Sequence, residues 1–323
     1  MYPTKERPYF GVYVARQVAA LQQLGVDVHV EEVAGPRGPM DYFAARSRIF
    51  KLVRRLRPDL IHAHYGYTAL AVAGLSVPFL VTLCGDDLNG ESNGTGGITL
   101  KSRIGILVTQ TLTMRARHVL VMSEAMQARL LKGVRQRSEV LPYGIDEELF
   151  TPASIEAARA RLGLPRTSIV ITFVNSGAQP TKQLGLAQAV VADLRARGHQ
   201  VVLLVAENVP ATEMPWYYRA ADCLLMTSER EGAPNAVRES LACGTPVVSV
   251  AVGDVPEIVR SPEQGRIARR DPVGLADAVE ELVSSIPKRQ RSLLDRRFHG
   301  SAVARRLAGI YQGLLANTPS RGR

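Results

Sequence analysis

Two carboxylates and a run of backbone amides carry the most chemistry in this sequence. Glu231 and Glu239 stand with seven residues between them in the stretch Ser228-Glu229-Arg230-Glu231-Gly232-Ala233-Pro234-Asn235-Ala236-Val237-Arg238-Glu239. Ahead of it, Ala221-Asp222-Cys223-Leu224-Leu225-Met226-Thr227 reads as a short buried strand. After it, Ser240-Leu241-Ala242-Cys243 continues a helix that opens near Asn235. Gly244 is placed to end that helix in a left-handed conformation, and Pro246 prevents its continuation. Val247-Val248-Ser249-Val250 is a second buried, β-branched strand. Strand, polar loop, helix, strand predicts a parallel crossover.

In such sheets ligands sit beyond the carboxyl ends of the strands. The loop from Glu229 to Pro234 lies there. Gly232 lets backbone approach a ligand closely, and the first amides of a helix suit a phosphate. Eight helical steps would separate the two carboxylates by roughly 12 Å. That reach suits a diphosphate with a hydroxyl-rich group at each end, since carboxylates accept from hydroxyls and amides donate to phosphates. A bare pair of Glu at this spacing is equally a solvated helix face. The surrounding motif gives it meaning.

The stretch AADCLLMTSEREGAPNAVRESLACGTPVVS resembles the E-x7-E signature of family four of the retaining glycosyltransferases, which have the GT-B architecture. The resemblance implies two Rossmann-like domains whose parallel sheets face each other across a cleft. It implies that Glu231 contacts hydroxyls of the donor sugar and that Glu239 holds the ribose of the nucleotide. The backbone from Gly232 through Ala233, Pro234 and Asn235 to Ala236 would line the sugar and diphosphate. The same variant of the motif, with the turn Gly253-Asp254-Val255-Pro256-Glu257, resembles members that build cell-surface polysaccharides.

At 323 residues the chain has room for two domains, each with its own core. Hydrophobic content of 46% and charged content of 22% are those of a soluble globular protein. No apolar run approaches a membrane span, and the polar, proline-interrupted N-terminus shows no signal peptide; the expected compartment is the cytoplasm. Three cysteines, Cys84, Cys223 and Cys243, make no disulfide framework. A net charge of +10 fits anionic partners: a nucleotide diphosphate, a lipid phosphate or the inner face of a membrane. With 6% aromatics and no zinc spacing or recognition-helix pattern, nucleic acid is not expected.

Along the chain, Tyr2 to Phe10 is a proline-rich loop. Gly11 precedes Val14, Val18, Leu21 and Leu24, a helical stripe ending at Gly25. Val26, Val28 and Val30 alternate with polar residues as a strand. In the family a buried first strand precedes the loop holding Gly11, and that loop borders the donor phosphates; the sequence here begins at the loop, without that strand, so either its start is placed late, or it is a truncated chain, or the sheet closes differently. Residues 35–41 form a Gly/Pro loop. From Ala44 to Arg57 a helix carries Ile49, Leu52, Val53 and Leu56 on one face and Arg48, Lys51, Arg54 and Arg55 on the other. Its plain reading is a core helix with a solvated face; a basic amphipathic helix also suits an anionic bilayer. Pro58 to Gly66 is a strand on which His62 and His64 share a face. No third ligand is near, so no metal is expected.

Val77 to Leu83 is another strand, leading to Cys84-Gly85-Asp86-Asp87. Family members often begin this turn with a histidine that contacts the donor; Cys84 stands there instead. His64, Asp86 and Asp87 fall on the acceptor side. Asp86 and Asp87 also suit plain turn chemistry. Gly90 to Gly97 is expected to be a mobile loop, and residues 99–131 alternate helical and buried segments. Val140 to Pro152 resembles the family's linker. The domains expected are 1–150 on the acceptor side, 151–297 binding the nucleotide sugar, and 298–323 as a helix returning to the first domain.

The second domain opens with a helix, Ile155 to Leu162, and the strand Ser168 to Val174. The loop from Asn175 to Lys182 follows. The family places an arginine and a lysine here on the diphosphate. Lys182 is present, whereas Ser176 and Gly177 stand at the arginine's place. Helices over 186–198 and 274–284 and a strand over 201–205 complete the domain. The expected activity is transfer of a sugar from a nucleotide-diphosphate sugar to a hydroxyl of a glycan or lipid-linked acceptor, without a cofactor. Glu231 and Lys182 would carry catalysis, and Glu239, the Gly232 to Ala236 backbone, Gly11 and Asn175 would hold the donor. The alternatives are a degenerate nucleotide-sugar-binding homologue and, less well supplied with acids and bases, a GT-B nucleotide-sugar epimerase.

Overall fold

The computed structural model describes residue 2 and residues 11–33, 39–90, 97–175, 179–285 and 291–316. Most of the Tyr2 to Phe10 loop and of the Gly90 to Gly97 loop, and the positions Ser176 and Gly177, lie outside these. Among the described residues the chain forms two compact units, one from residues 13–143 with 301–316, the other from residues 144–300 with 11–12.

The first unit is a parallel sheet ordered β1-β2-β3-β4, with β1 Ile61–His64, β2 Phe79–Leu83, β3 His118–Val121 and β4 Ser138–Val140. Its helices are α1 Val12–Gln23, α2 Pro39–Ala44, α3 Arg46–Leu56, α4 Ala69–Val72, α5 Asp86–Asn89, α6 Leu100–Thr113, α7 Glu124–Ala128 and α8 Lys132–Arg135. Every residue of β2 is buried, as expected for a strand covered on both faces. The stripe Val14, Val18, Leu21 is buried on α1. Gly25 then turns the chain with φ +79°.

Two expectations fail in this unit. Val26 to Val30 is not a strand. The alternation survives, since Val26 and Val28 pack partly against Leu21, Leu80 and Leu120. Alternation alone supplies no ladder, and among the described residues β1 is hydrogen-bonded only to β2. The Gly/Pro loop over 35–41 also ends early, because Pro39 starts α2. Proline at the first helical position gives up an amide that has no helical partner anyway.

The second unit is a parallel sheet ordered β6-β5-β7-β8-β9, with β5 Ile169–Val174, β6 Val201–Ala206, β7 Cys223–Met226, β8 Val247–Val250 and β9 Gly265–Ala268. Its helices are α9 Ile155–Arg161, α10 Leu184–Ala196, α11 Met214–Ala220, α12 Asn235–Ala242, α13 Val255–Ile258 and α14 Pro272–Ser285. Strands β7 and β8 pair in parallel, Leu224 beside Val247, with α12 as the crossover. Gly244 ends α12 at φ +80°. There Thr245 N donates to Ser240 O at 2.9 Å, and a Cβ would stand 2.8 Å from Arg291 O. The last helix, α15 Gly300–Ala316, buries Val303 and Leu307 against Leu21, Leu80, Leu120 and Leu141 of the first unit's core.

Candidate functional site

In the second unit, four chain segments meet at the carboxyl ends of β5, β7 and β8. The first is the turn Pro180–Lys182, which follows β5. The second is the loop after β7. Thr227 Oγ1 ties them together by donating to Lys182 O at 2.7 Å. Glu229 N donates to Thr181 O at 2.8 Å. Arg270, just before α14, donates to the carbonyls of Thr227 and Ser228, each at 2.8 Å. The loop is therefore held by hydrogen bonds from both sides, one of them between backbones and the others from side chains to carbonyls.

On this frame Lys182 Nζ reaches Glu231 Oε1 at 2.6 Å, both side chains being largely buried. The two residues that sequence reasoning chose as catalytic are thus neighbours. Asn175, just past the end of β5, is buried, and among the described residues its Oδ1 has no hydrogen-bond partner. A buried amide oxygen without a donor carries a cost that a bound donor group removes.

Past Glu231, the segment Gly232, Ala233 and Pro234 leads into α12, which starts at Asn235. No side chain caps this helix start, so its first amides keep their capacity for an anion. Ala236, on the first turn, is partly buried. One turn on, Glu239 Oε2 accepts from the hydroxyl of Tyr218 at 2.9 Å. Tyr218 is fully buried on α11, so it fixes the carboxylate's direction. The third wall is the turn after β8. Gly253 has φ +54°, and a Cβ on it would stand 3.0 Å from Gly232 O and 3.2 Å from Glu231 Cβ. Only glycine lets that turn lie so close to the loop.

Beneath this surface Arg238 and Asp254 form a buried ion pair, with side chains 0% and 4% exposed. Burial pushes the Asp254 carboxyl up and the Arg238 guanidinium down, each opposed by its partner. Arg238 also lies over the Phe298 ring, 4.9 Å from its centroid. Sequence reasoning missed Tyr218, Arg238, Asp254 and Arg270. One signal was available: Arg238 falls between Val237 and Leu241 on a face that is otherwise apolar.

The residues assigned to the acceptor side lie in the first unit. The rings of His62 and His64 stack at 4.1 Å, as their shared strand face requires. His62 spends both ring nitrogens at 2.6 Å, on Tyr311 OH and Thr82 Oγ1. His64 Nδ1 meets Tyr143 OH at 2.9 Å. Burial lowers the pKa of both, that of His64 to about 3, so they are neutral. Cys84 lies 3.4 Å from the same tyrosine hydroxyl, and burial pushes its thiol up to about 12. Asp87 accepts from the amides of Gly66, Cys84 and Gly85 at 3.0 to 3.1 Å, using both oxygens. It is buried and organises the turn, whereas Asp86 beside it is exposed. Gly11 is buried ahead of α1 with φ +71°.

The family pattern described as Glycosyl transferases group 1 matches residues 153–285, and that described as Glycosyl transferase 4-like domain matches residues 14–144. The chain belongs to the group 1 glycosyl transferases. Among relatives, the teichuronic acid biosynthesis glycosyltransferase TuaC of Bacillus subtilis is 26% identical over 86% of each chain. A D-inositol 3-phosphate glycosyltransferase of Frankia alni is 30% identical over 70% of this chain and 65% of its own. Among solved structures, the sucrose-phosphate synthase of Thermosynechococcus elongatus has a TM-score of 0.77 at 19% identity, covering 95% of this chain and 94% of its own. Anabaena HepE, solved with UDP, has a TM-score of 0.66 at 17% identity and covers 92% and 89%. With two parallel α/β units and these neighbours, the fold is GT-B. The protein is a glycosyltransferase.

Proposed function

We propose that this enzyme is a retaining glycosyltransferase that moves a sugar from a nucleotide-diphosphate sugar to a hydroxyl of a glycan or lipid-linked acceptor. The observation that carries the reading is the second unit's loop and helix start. The ion pair Lys182–Glu231 lies at one end, uncapped amides follow, and Glu239 is aimed by Tyr218 at the other. In this reading the diphosphate draws Lys182 away from Glu231. That frees the carboxylate to accept from the sugar's hydroxyls, and Glu239 takes the ribose. The protein's work is positioning and charge stabilisation. A leaving phosphate oxygen helps to take the acceptor's proton. Asn175 and Gly11 border the donor.

Uridine diphosphate sugars head the panel of donors to try, because HepE is solved with UDP and with UDP-glucose. TuaC's name supports a cell-surface polysaccharide as the product's destination. The test is release of nucleoside diphosphate from a panel of nucleotide sugars, with crude acceptor added. Glu239→Ala should weaken nucleotide binding at least tenfold. Glu231→Ala should lower turnover more than binding. Unchanged affinity and turnover in both variants refute the assignment.

A degenerate, binding-only homologue is the second reading. It is favoured by Cys84, whose protonated thiol is engaged with Tyr143 where family members often carry a histidine. Nucleotide binding with no turnover of any sugar in the panel would select it.

A further inference from the structure

Helix α6 is turned inside out. Its buried residues are the small ones, Gly105, Thr109 and Thr113. Thr109 Oγ1 has no hydrogen-bond partner there, and a Cβ on Gly105 would strike the Tyr67 hydroxyl. Several large apolar residues face out instead, while Ile106, Val108 and Leu112 are half-buried. Leu100 is 73% exposed, Ile104 57%, Leu107 68%, and Met114, just past the helix end, 51%. At 3.6 residues per turn these four and Thr111 fall within an arc of roughly 80°. Thr111 is also exposed, and its hydroxyl is spent on Leu107 O at 2.8 Å. The outcome is a continuous apolar stripe about 20 Å long, from the rise per residue. Single exposed leucines need no explanation, but an aligned set of this kind marks a contact surface.

The charges around the stripe select its occupant. Lys101, Arg103 and Arg115 are exposed beside it. No acidic residue occurs from residue 92 to residue 123. A second copy packed on the same stripe would set these cations against each other with no carboxylate between them. Helix α4 packs against both α6 and α3. The latter adds exposed Lys51, Arg54 and Arg55 and a half-exposed Phe50. No helix among the described residues is long and apolar enough to cross a membrane. An apolar stripe flanked on its own helix by cations and no carboxylate, with Asp86 on the neighbouring α5 as an exposed acid, has the composition of a helix that lies in the headgroup region of an anionic bilayer.

We propose that α6 is a bilayer-docking helix, its apolar stripe entering the interface of an anionic membrane with Lys101, Arg103 and Arg115 at the headgroups. The proposal does not depend on which sugar or acceptor the enzyme uses. The test is sedimentation of the full chain with vesicles of phosphatidylglycerol and phosphatidylcholine, against phosphatidylcholine alone. The expected result is binding to the anionic vesicles that weakens with salt. Ile104→Glu with Leu107→Glu should reduce that binding at least tenfold, with the thermal midpoint and nucleotide affinity unchanged. Three results would overturn it. They are no binding to anionic vesicles, binding untouched by the stripe variants yet lost when Lys51, Arg54 and Arg55 are neutralised, and a parent dimer by light scattering that the stripe variants convert to monomer.

Discussion

Breaking the Arg238–Asp254 pair gives the sharpest test of how the proposed donor site is supported. Both side chains are buried, at 0% and 4% exposure. Arg238 Nε and Nη1 and Asp254 Oδ1 have no hydrogen-bond partners. Their mutual charge is therefore the main offset to desolvation, with the Phe298 ring and the Glu257 charge assisting Arg238. Removing one partner leaves an uncompensated buried charge, which costs about 3–5 kcal/mol. In a domain of this size each kcal/mol lowers the midpoint by roughly 2–4 °C. Arg238→Met or Asp254→Leu alone should thus lower the midpoint of the second unit by about 6–20 °C. The double variant Arg238→Met with Asp254→Leu should recover most of that loss, because methionine still covers the Phe298 ring and no charge remains buried. Thermal unfolding of the four proteins, read as a double-mutant cycle, should give a coupling above about 2 kcal/mol. Single variants within about 2 °C of the parent, or effects that simply add, would refute the reasoning.

Gly253→Ala should destabilise by about 1–2 kcal/mol, since it puts a Cβ into a left-handed residue against the Gly232 carbonyl; urea unfolding checks this. Tyr218→Phe removes the hydroxyl that aims Glu239 and should raise the nucleotide Kd several-fold in calorimetry with little change in turnover at saturation. His62 and His64 have folded pKa values below the ordinary 6.5. The unfolded chain then binds more protons below that pH, so stability is present above it and falls as pH drops. Replacing both by Gln should flatten the fall between pH 6.5 and 5, on the order of 1.4 kcal/mol per pH unit for each histidine, measured by urea midpoints. Burial holds the Asp87 carboxyl at about 6, above its usual 3.8. Its contribution is therefore largest below pH 4 and declines as pH rises through 6. The stability gap between the parent and Asp87→Asn should narrow across that window.

The strands that hold the proposed donor site were legible because they are buried on both faces. Cys223–Met226 is an unbroken apolar run and Val247–Val250 is interrupted only by the small Ser249, and nothing about their neighbours is needed to read them. Val26 to Val30 misled because a period of two states which face is covered, not whether a strand lies alongside. The register that brings Lys182 onto Glu231 was partly legible through a resemblance. The supports were not. Tyr218 and Arg270 are far in sequence from the loops they fix, and no local pattern announces a hydrogen bond across 21 or 43 residues. Helix α6 was hard to read for the opposite reason. Several of its large apolar residues face out, so the periodicity that normally marks a core face marks the outside here.

The Arg270 fork has one further consequence. By holding two successive carbonyls of the loop, it sets the backbone of the proposed donor site before any ligand arrives. A ligand seating itself there has little chain entropy to remove. Its affinity then rests on contacts alone, and loosening the fork would show first as a penalty in binding entropy with the enthalpy nearly unchanged.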